Sequence, residues 1–143
     1  MTSRKIFINL PVADVAASTA FYEAIGFTKN PQFSNDKGAC LVWSDDIYIM
    51  LAARDFFSTF TPKPIADTHA TSAALFALSF DSRADVDAIT VAAVAAGGTE
   101  GHDPEDLGFM YSRAFWDLDG HGFGPFWMDP AAAEGGPPAE ATV

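Results

Sequence analysis

The side chains able to do acid, base or nucleophilic chemistry are few and dispersed along the chain. The one cysteine, Cys40, lies in the apolar run Ala39-Cys40-Leu41-Val42-Trp43 with no histidine or basic residue beside it. A thiol in such a run packs as a small hydrophobe, and, being alone, it cannot form an internal disulfide. The three histidines stand apart. His69 is in a long irregular connection, His102 is in the acidic stretch from Glu100 to Gly108, and His121 is in the corner Asp117-Leu118-Asp119-Gly120-His121-Gly122. Surface or turn roles suit all three, and His121 is expected to bond backbone or carboxylate groups around its corner. Asp117 and Asp119 read as turn formers, because a carboxylate pair for acid and base work needs a cleft and a tuned pKa. A site from His102, Asp103, Glu105 and Asp106 would be exposed and loop-borne. Arg113 is the sharpest polar candidate. A guanidinium between Tyr111 and Phe115 can pair with a ligand carboxylate or stack on a ring, or it can be satisfied by one of the many nearby Asp and Glu residues.

These residues must be positioned by elements that the hydrophobic pattern lays out twice. Ile6 to Val12 has a strand's composition, with Ile6, Ile8, Leu10 and Val12 on one face and Phe7 and Asn9 on the other. Asp14 is placed to cap a helix of about 14 to 25, and Gly26 stands where a left-handed terminating residue is wanted. Phe27 to Pro31 begins a strand. A hairpin follows, with Ala39 to Trp43 and Ile47 to Leu51 flanking Ser44-Asp45-Asp46. From Asp55 to Thr71 the pattern becomes irregular, apart from a short helical turn expected at Asp55 to Phe60. Phe56, Phe57 and Phe60 suggest that this connection closes over something apolar or over another subunit. The second copy starts near Ala73. Leu75 to Phe80 is a strand, Ser82 with Asp85 resembles a capping pair, and a helix runs to Gly97-Gly98. Glu100 to Gly108 reads as an acidic loop. The stretch from Met110 to Asp129 then reads as the second hairpin, two strand-like runs flanking the Asp117 to Gly122 corner. The closing PAAAEGGPPAEATV has no large apolar residue, so 130–143 is expected to be a disordered tail.

At 143 residues and 49% hydrophobic, the chain is the size of one domain and can bury a core. Eight Lys plus Arg against 19 Asp plus Glu give a formal charge of -11. Such a charge repels nucleic acid and anionic lipid, and it leaves room for a cationic ligand or one held by apolar contact. The N-terminus MTSRKIFINL lacks a signal peptide's apolar run, and no stretch approaches the roughly 20 apolar residues needed to cross a bilayer. A cytoplasmic location is expected.

Asp14-Val15 followed by Ala20-Phe21-Tyr22-Glu23-Ala24-Ile25-Gly26-Phe27, and later Asp117-Leu118-Asp119-Gly120-His121, resembles the vicinal oxygen chelate superfamily. This is the group of glyoxalase I, bleomycin-resistance proteins, fosfomycin-resistance enzymes and extradiol dioxygenases. The likeness covers about residues 4 to 129. It implies an α+β fold of two tandem βαβββ units, about 4–52 and 73–129, within one domain spanning 1–129. Each unit would curl a mixed sheet into a half-barrel, with helices on the outer face and the ligand on the concave side. It also implies a homodimer. In metal-dependent relatives, His, Glu or Gln side chains on the first and last strands of the units hold a divalent ion. The matching places here are Phe7, Leu75, Gly124 and either Ile49 or Met50. None supplies an oxygen or imidazole nitrogen, so no metal cofactor is expected.

What the resemblance then leaves is an aromatic cup. Alternation turns Phe7 and Asn9 inward from the first strand, Leu75 and Ala77 from its repeat, and Gly124 and Phe126 from the last. On the penultimate strand, Tyr111, Arg113 and Phe115 share one face, and that face is assigned to the pocket. Tyr111 and Asn9 could orient a ligand carbonyl, although a tyrosine packed in the core serves as well. Trp43, Trp116 and Trp127 read as core or dimer contacts before stacking platforms. The expected function is metal-free binding of a small apolar or aromatic molecule. A glyoxalase-like lyase or isomerase, a dioxygenase with a displaced metal site, and a non-catalytic dimerisation module stand as alternatives.

Overall fold

The computed structural model describes residues 4–135, in two compact units divided between Thr71 and Ser72. In the first, strand β1 (Ile6–Val12) leads into helix α1 (Val15–Ala24), followed by β2 (Thr28–Asn30), β3 (Gly38–Val42), β4 (Ile47–Ala53) and the short helix α2 (Arg54–Phe57). Asp14 starts α1 by accepting the Ala17 N–H on its carboxylate at 3.1 Å. Gly26 ends the helix at φ +114°, a conformation a side chain would strain. The strands form one sheet in the order β1-β4-β3-β2, with β1 and β4 parallel and the other pairs antiparallel. Helix α1 packs across β2, β3 and β4. Phe21 and Tyr22 are fully buried, as are Leu41 and Leu51 on the strands. Burial of a side chain the size of Phe21 contributes about 1.5–3 kcal/mol.

The second unit repeats this plan. Strand β5 (Leu75–Phe80) leads into α3 (Arg83–Ala95), then β6 (Thr99–Asp106), β7 (Met110–Trp116), β8 (Gly122–Met128) and α4 (Pro130–Gly135). The Ser82 hydroxyl caps α3 by accepting the Asp85 N–H at 3.1 Å. The sheet order is β5-β8-β7-β6, again with its outer pair β5 and β8 parallel. Val86, Ile89, Thr90 and Ala93 are the buried residues of α3. On the sheet, Phe115 and Phe123 stack with centroids 5.2 Å apart. Such a pair adds about 0.5–1.5 kcal/mol beyond burial.

The acidic stretch after α3 is not a loop. It is the edge strand β6, paired antiparallel with β7 through two register shifts, one between Glu100 and His102 and one between His102 and Glu105. Its charges and Pro104 hide it from a composition-based reading. On an edge, however, a strand meets solvent along one side, where charge is soluble and a missing N–H costs no ladder bond. Past Asp129 the chain turns into α4 where a tail was expected, and the rest of that tail, 136–143, lies outside the described residues. Among the described residues no helix is long and apolar enough to cross a membrane.

Candidate functional site

Each sheet has one face covered by its helix and one face open. In the second unit the β7–β8 ladder pairs Ser112 with Phe126 and Trp116 with Gly122, so even-numbered residues of the two strands share a face. On β5, Leu75 pairs with Gly122 and Ala77 with Gly124, which brings both onto the same side. Gly101 and His102 of β6, Ala114 and Trp116 of β7, and these residues of β5 and β8 line a hollow of about 350 Å³. Small-molecule sites run from about 300 to 1,000 Å³, so this one is large enough for a ring or two. Trp116 is 45% exposed and Leu75 74%, so apolar surface stands ready on its walls. Glycine makes the floor. A Cβ on Gly122 would come within 2.7 Å of Leu75 Cδ2, whereas one on Gly124 would find nothing nearer than the Arg113 carbonyl oxygen at 3.9 Å.

Of the residues assigned from sequence, Leu75 and Gly124 line this hollow, and Phe126 lies on the same face. Tyr111, Arg113 and Phe115 do not. They belong to the opposite face, beneath α3, which corrects the side chosen for the pocket. Phe115 is fully buried against Phe123. The Tyr111 hydroxyl donates to Asp87 of α3 at 2.6 Å. Arg113 reaches Asp87 at 3.0 Å and Glu100 of β6 at 2.6 Å. The hydrogen bond from Tyr111, and after it the one from Arg113, hold the Asp87 carboxyl below its ordinary range; Asp87 in turn raises the Tyr111 hydroxyl. Glu100 and then Asp87 raise the Arg113 guanidinium. This is a brace between helix and sheet, with its cation already matched.

The hairpin alone fixes which residues of β7 share a face with Gly124. With a corner at Asp117 to His121, a cup-facing Gly124 requires even-numbered partners on β7, hence Ala114 and Trp116 rather than Tyr111 and Arg113. Nothing comparable announced Gly101 and His102, because their placement depends on the irregularity of β6.

In the first unit the open face carries Phe7 stacked on Tyr48, with centroids 4.4 Å apart, and Asn9 beside Met50. The Asn9 amide donates to the Phe7 carbonyl at 3.3 Å. Phe56 and Phe60, which meet edge to face at 4.9 Å, border a smaller hollow of about 190 Å³ with Phe33, Asn9 and Met50. A Cβ on Gly38 would stand 3.0 Å from the Leu51 carbonyl oxygen, and the Phe56 ring lies within ordinary contact of the same place at 3.7 Å. Behind the sheet, a hollow of about 440 Å³ runs between α1 and Lys29, Asn35 and Asp36. Two of its polar side chains serve the fold. Asp14 caps α1, and the Asn35 side chain accepts the N–H groups of Lys37 and Gly38.

The corner before β8 is built as its sequence suggests. The Asp117 carboxylate accepts the backbone N–H groups of Asp119 at 2.9 Å and His121 at 2.8 Å, and Gly120 adopts φ +88°. Asp117, Asp119 and His121 are buried in it. Elsewhere, Arg83 lies 4.4 Å above the Trp127 ring, and Trp43 packs on Phe27. Trp116 lines the hollow over the second sheet.

At the places where the resembling family holds a divalent metal, Phe7, Leu75, Gly124 and Met50 offer no hard oxygen and no imidazole. Ile49 is buried and pairs with Ile8. Among the described residues no three His, Cys, Asp or Glu side chains gather into a group able to hold a metal. The donor set does not fit such an ion.

Residues 4–43 match a family model described as bleomycin resistance protein-like N-terminal. No curated protein matches the chain. Solved structures do. A hypothetical protein, SA1046, from S. aureus aligns at TM-score 0.74 and 24% identity over 89% of this chain and 95% of its own. A glyoxalase/bleomycin resistance protein/dioxygenase family enzyme from Burkholderia phytofirmans PsJN aligns at TM-score 0.75 and 18% identity, over 88% and 99%. The fosfomycin resistance protein FosX from Mesorhizobium loti aligns at TM-score 0.67 and 15% identity, over 94% and 99%. The chain therefore has the α+β fold of the glyoxalase/bleomycin-resistance/dioxygenase proteins.

Proposed function

We propose that this chain binds a small apolar or aromatic organic molecule on the open face of its second sheet, as a cytoplasmic homodimer and without a divalent metal. The observation that carries the reading is the glycine-floored hollow walled by Leu75, Ala77, Ala114 and Trp116. Apolar walls with an exposed indole attract planar rings through burial and stacking. The formal charge of -11 disfavours anionic ligands at long range. Structures whose names mention bleomycin and fosfomycin resistance share the fold, which supports handling of small organic compounds. A shared fold lends a scaffold and not a reaction, so the site chemistry decides. Metal-dependent lyase, isomerase or dioxygenase activity is disfavoured by the side chains at Phe7, Met50, Leu75 and Gly124.

The test is a thermal-shift series with one- and two-ring aromatic compounds on purified protein. A compound at ten times its Kd adds about 1.4 kcal/mol of stability, a rise of several degrees for a chain of this size. Trp116→Ala should lose that rise while folding normally. A rise that appears only after addition of zinc, nickel, iron or manganese would overturn the metal-free reading, and no rise with any compound would overturn the binding reading.

A further inference from the structure

The irregularity of β6 does something that strict strand alternation would forbid. Glu100 pairs with Phe115 and His102 with Ala114, so Gly101 is an extra residue without a partner of its own on β7. A bulge of this kind re-aims the side chains around it. Here it brings Gly101 and His102, neighbours in sequence, to the same hollow. Only glycine fits the first position, because a Cβ on Gly101 would stand 2.9 Å from the Cβ of Ala114. Among the residues lining that hollow, His102 is the one with a titratable side chain.

One hydrogen bond fixes which nitrogen of the neutral ring carries the proton. His102 Nδ1 lies 2.7 Å from the carbonyl oxygen of Asp103. A carbonyl oxygen only accepts, so Nδ1 carries the proton, and in the neutral imidazole Nε2 keeps the lone pair. Nε2 is then the polar atom that the ring has left for the hollow it lines. We infer that His102 is a specificity-determining acceptor, and that the hollow prefers planar aromatic ligands carrying a hydroxyl or ring N–H donor, such as phenols, over the same skeletons without one. This rests on the binding reading above and narrows its ligand class.

The experiment compares 2-naphthol with 2-methylnaphthalene, which replaces the hydroxyl by a methyl group of similar size. Binding of both is followed by titration of wild-type protein, His102→Phe and His102→Gln. One net hydrogen bond corresponds to about a five- to tenfold change in affinity. The ratio of the two dissociation constants should therefore shift about five- to tenfold against naphthol in His102→Phe, with methylnaphthalene binding retained. His102→Gln keeps an accepting oxygen and should recover part of the ratio. An unchanged ratio in His102→Phe overturns the role of His102 and leaves the pocket standing. Loss of both probes in His102→Phe also counts against it, since an acceptor acts on only one of them. If neither probe binds wild-type protein, the pocket reading falls and this inference falls with it.

Discussion

Arg113 shows how a residue suited to ligand chemistry can be claimed by the fold. Its guanidinium is clamped between Asp87 and Glu100, with only 15% of its side chain exposed, on the face of the sheet that α3 covers. Arg113→Ala should lower stability by about 1–2 kcal/mol, through the two lost ion pairs, and leave any ligand-dependent rise in melting temperature unchanged. A vanished rise would return Arg113 to the binding site. Asp87 adds a pH signature. Its carboxyl is held below the ordinary value of 3.8 by Tyr111 first and Arg113 second, so its contribution is fully present above that value and is lost as pH falls through the lower, folded-state pKa. Because the Asp87 side chain is 48% exposed, the contribution is discounted to about 0.5–1 kcal/mol. Urea titrations of wild type and Asp87→Asn should differ by that amount at neutral pH and converge in strong acid. A constant gap would show that the carboxyl charge is not what stabilises.

At the scale of elements, the corner between β7 and β8 and the bulge in β6 position the hollow, and they were unequally legible. Asp117 announces the corner, since Asp and Gly at this spacing supply side-chain acceptors and a left-handed residue. Asp117→Ala strands two backbone N–H groups in a buried turn and should cost about 2 kcal/mol or more, read as a lowered urea midpoint. Both capped helices were equally readable, from Asp14 with Gly26 and from Ser82 with Gly97. So were six of the eight strands, where apolar residues recur at a strand's spacing. Strand β2 was marked only by its beginning, and β6 was missed, because polar residues on an edge are held by backbone pairing that leaves no hydrophobic period. The candidate site suffered more. Alternation alone puts Leu75 and Gly124 on the face of the hollow, while placing Ala114 and Trp116 there requires the hairpin parity to be carried across the corner. Gly101 and His102 required a bulge, which turns on a close backbone approach between strands distant in sequence. Gly101→Ala tests that approach. Overpacking against Ala114 should destabilise by about 1 kcal/mol or more and weaken binding in the hollow, and an unaffected variant would mean that the bulge tolerates a side chain.

For the whole molecule, a strand-helix-strand plan is laid down twice, and Phe7, Met50, Leu75 and Gly124 stand where the resembling family would hold a metal. Stability and ligand binding should therefore be the same with and without a chelator. The binding proposal puts a small organic molecule in the hollow over the second sheet. Gly124→Leu addresses it most directly, because a Cβ at that position has room against the backbone while the rest of the leucine side chain projects into the hollow. Titration of this variant and of wild type with the same aromatic probe, alongside a urea melt of each, separates filling the site from damaging the fold. The expected result is a variant within about 1 kcal/mol of wild-type stability whose affinity has fallen at least tenfold. Undiminished binding to a stably folded Gly124→Leu would contradict it.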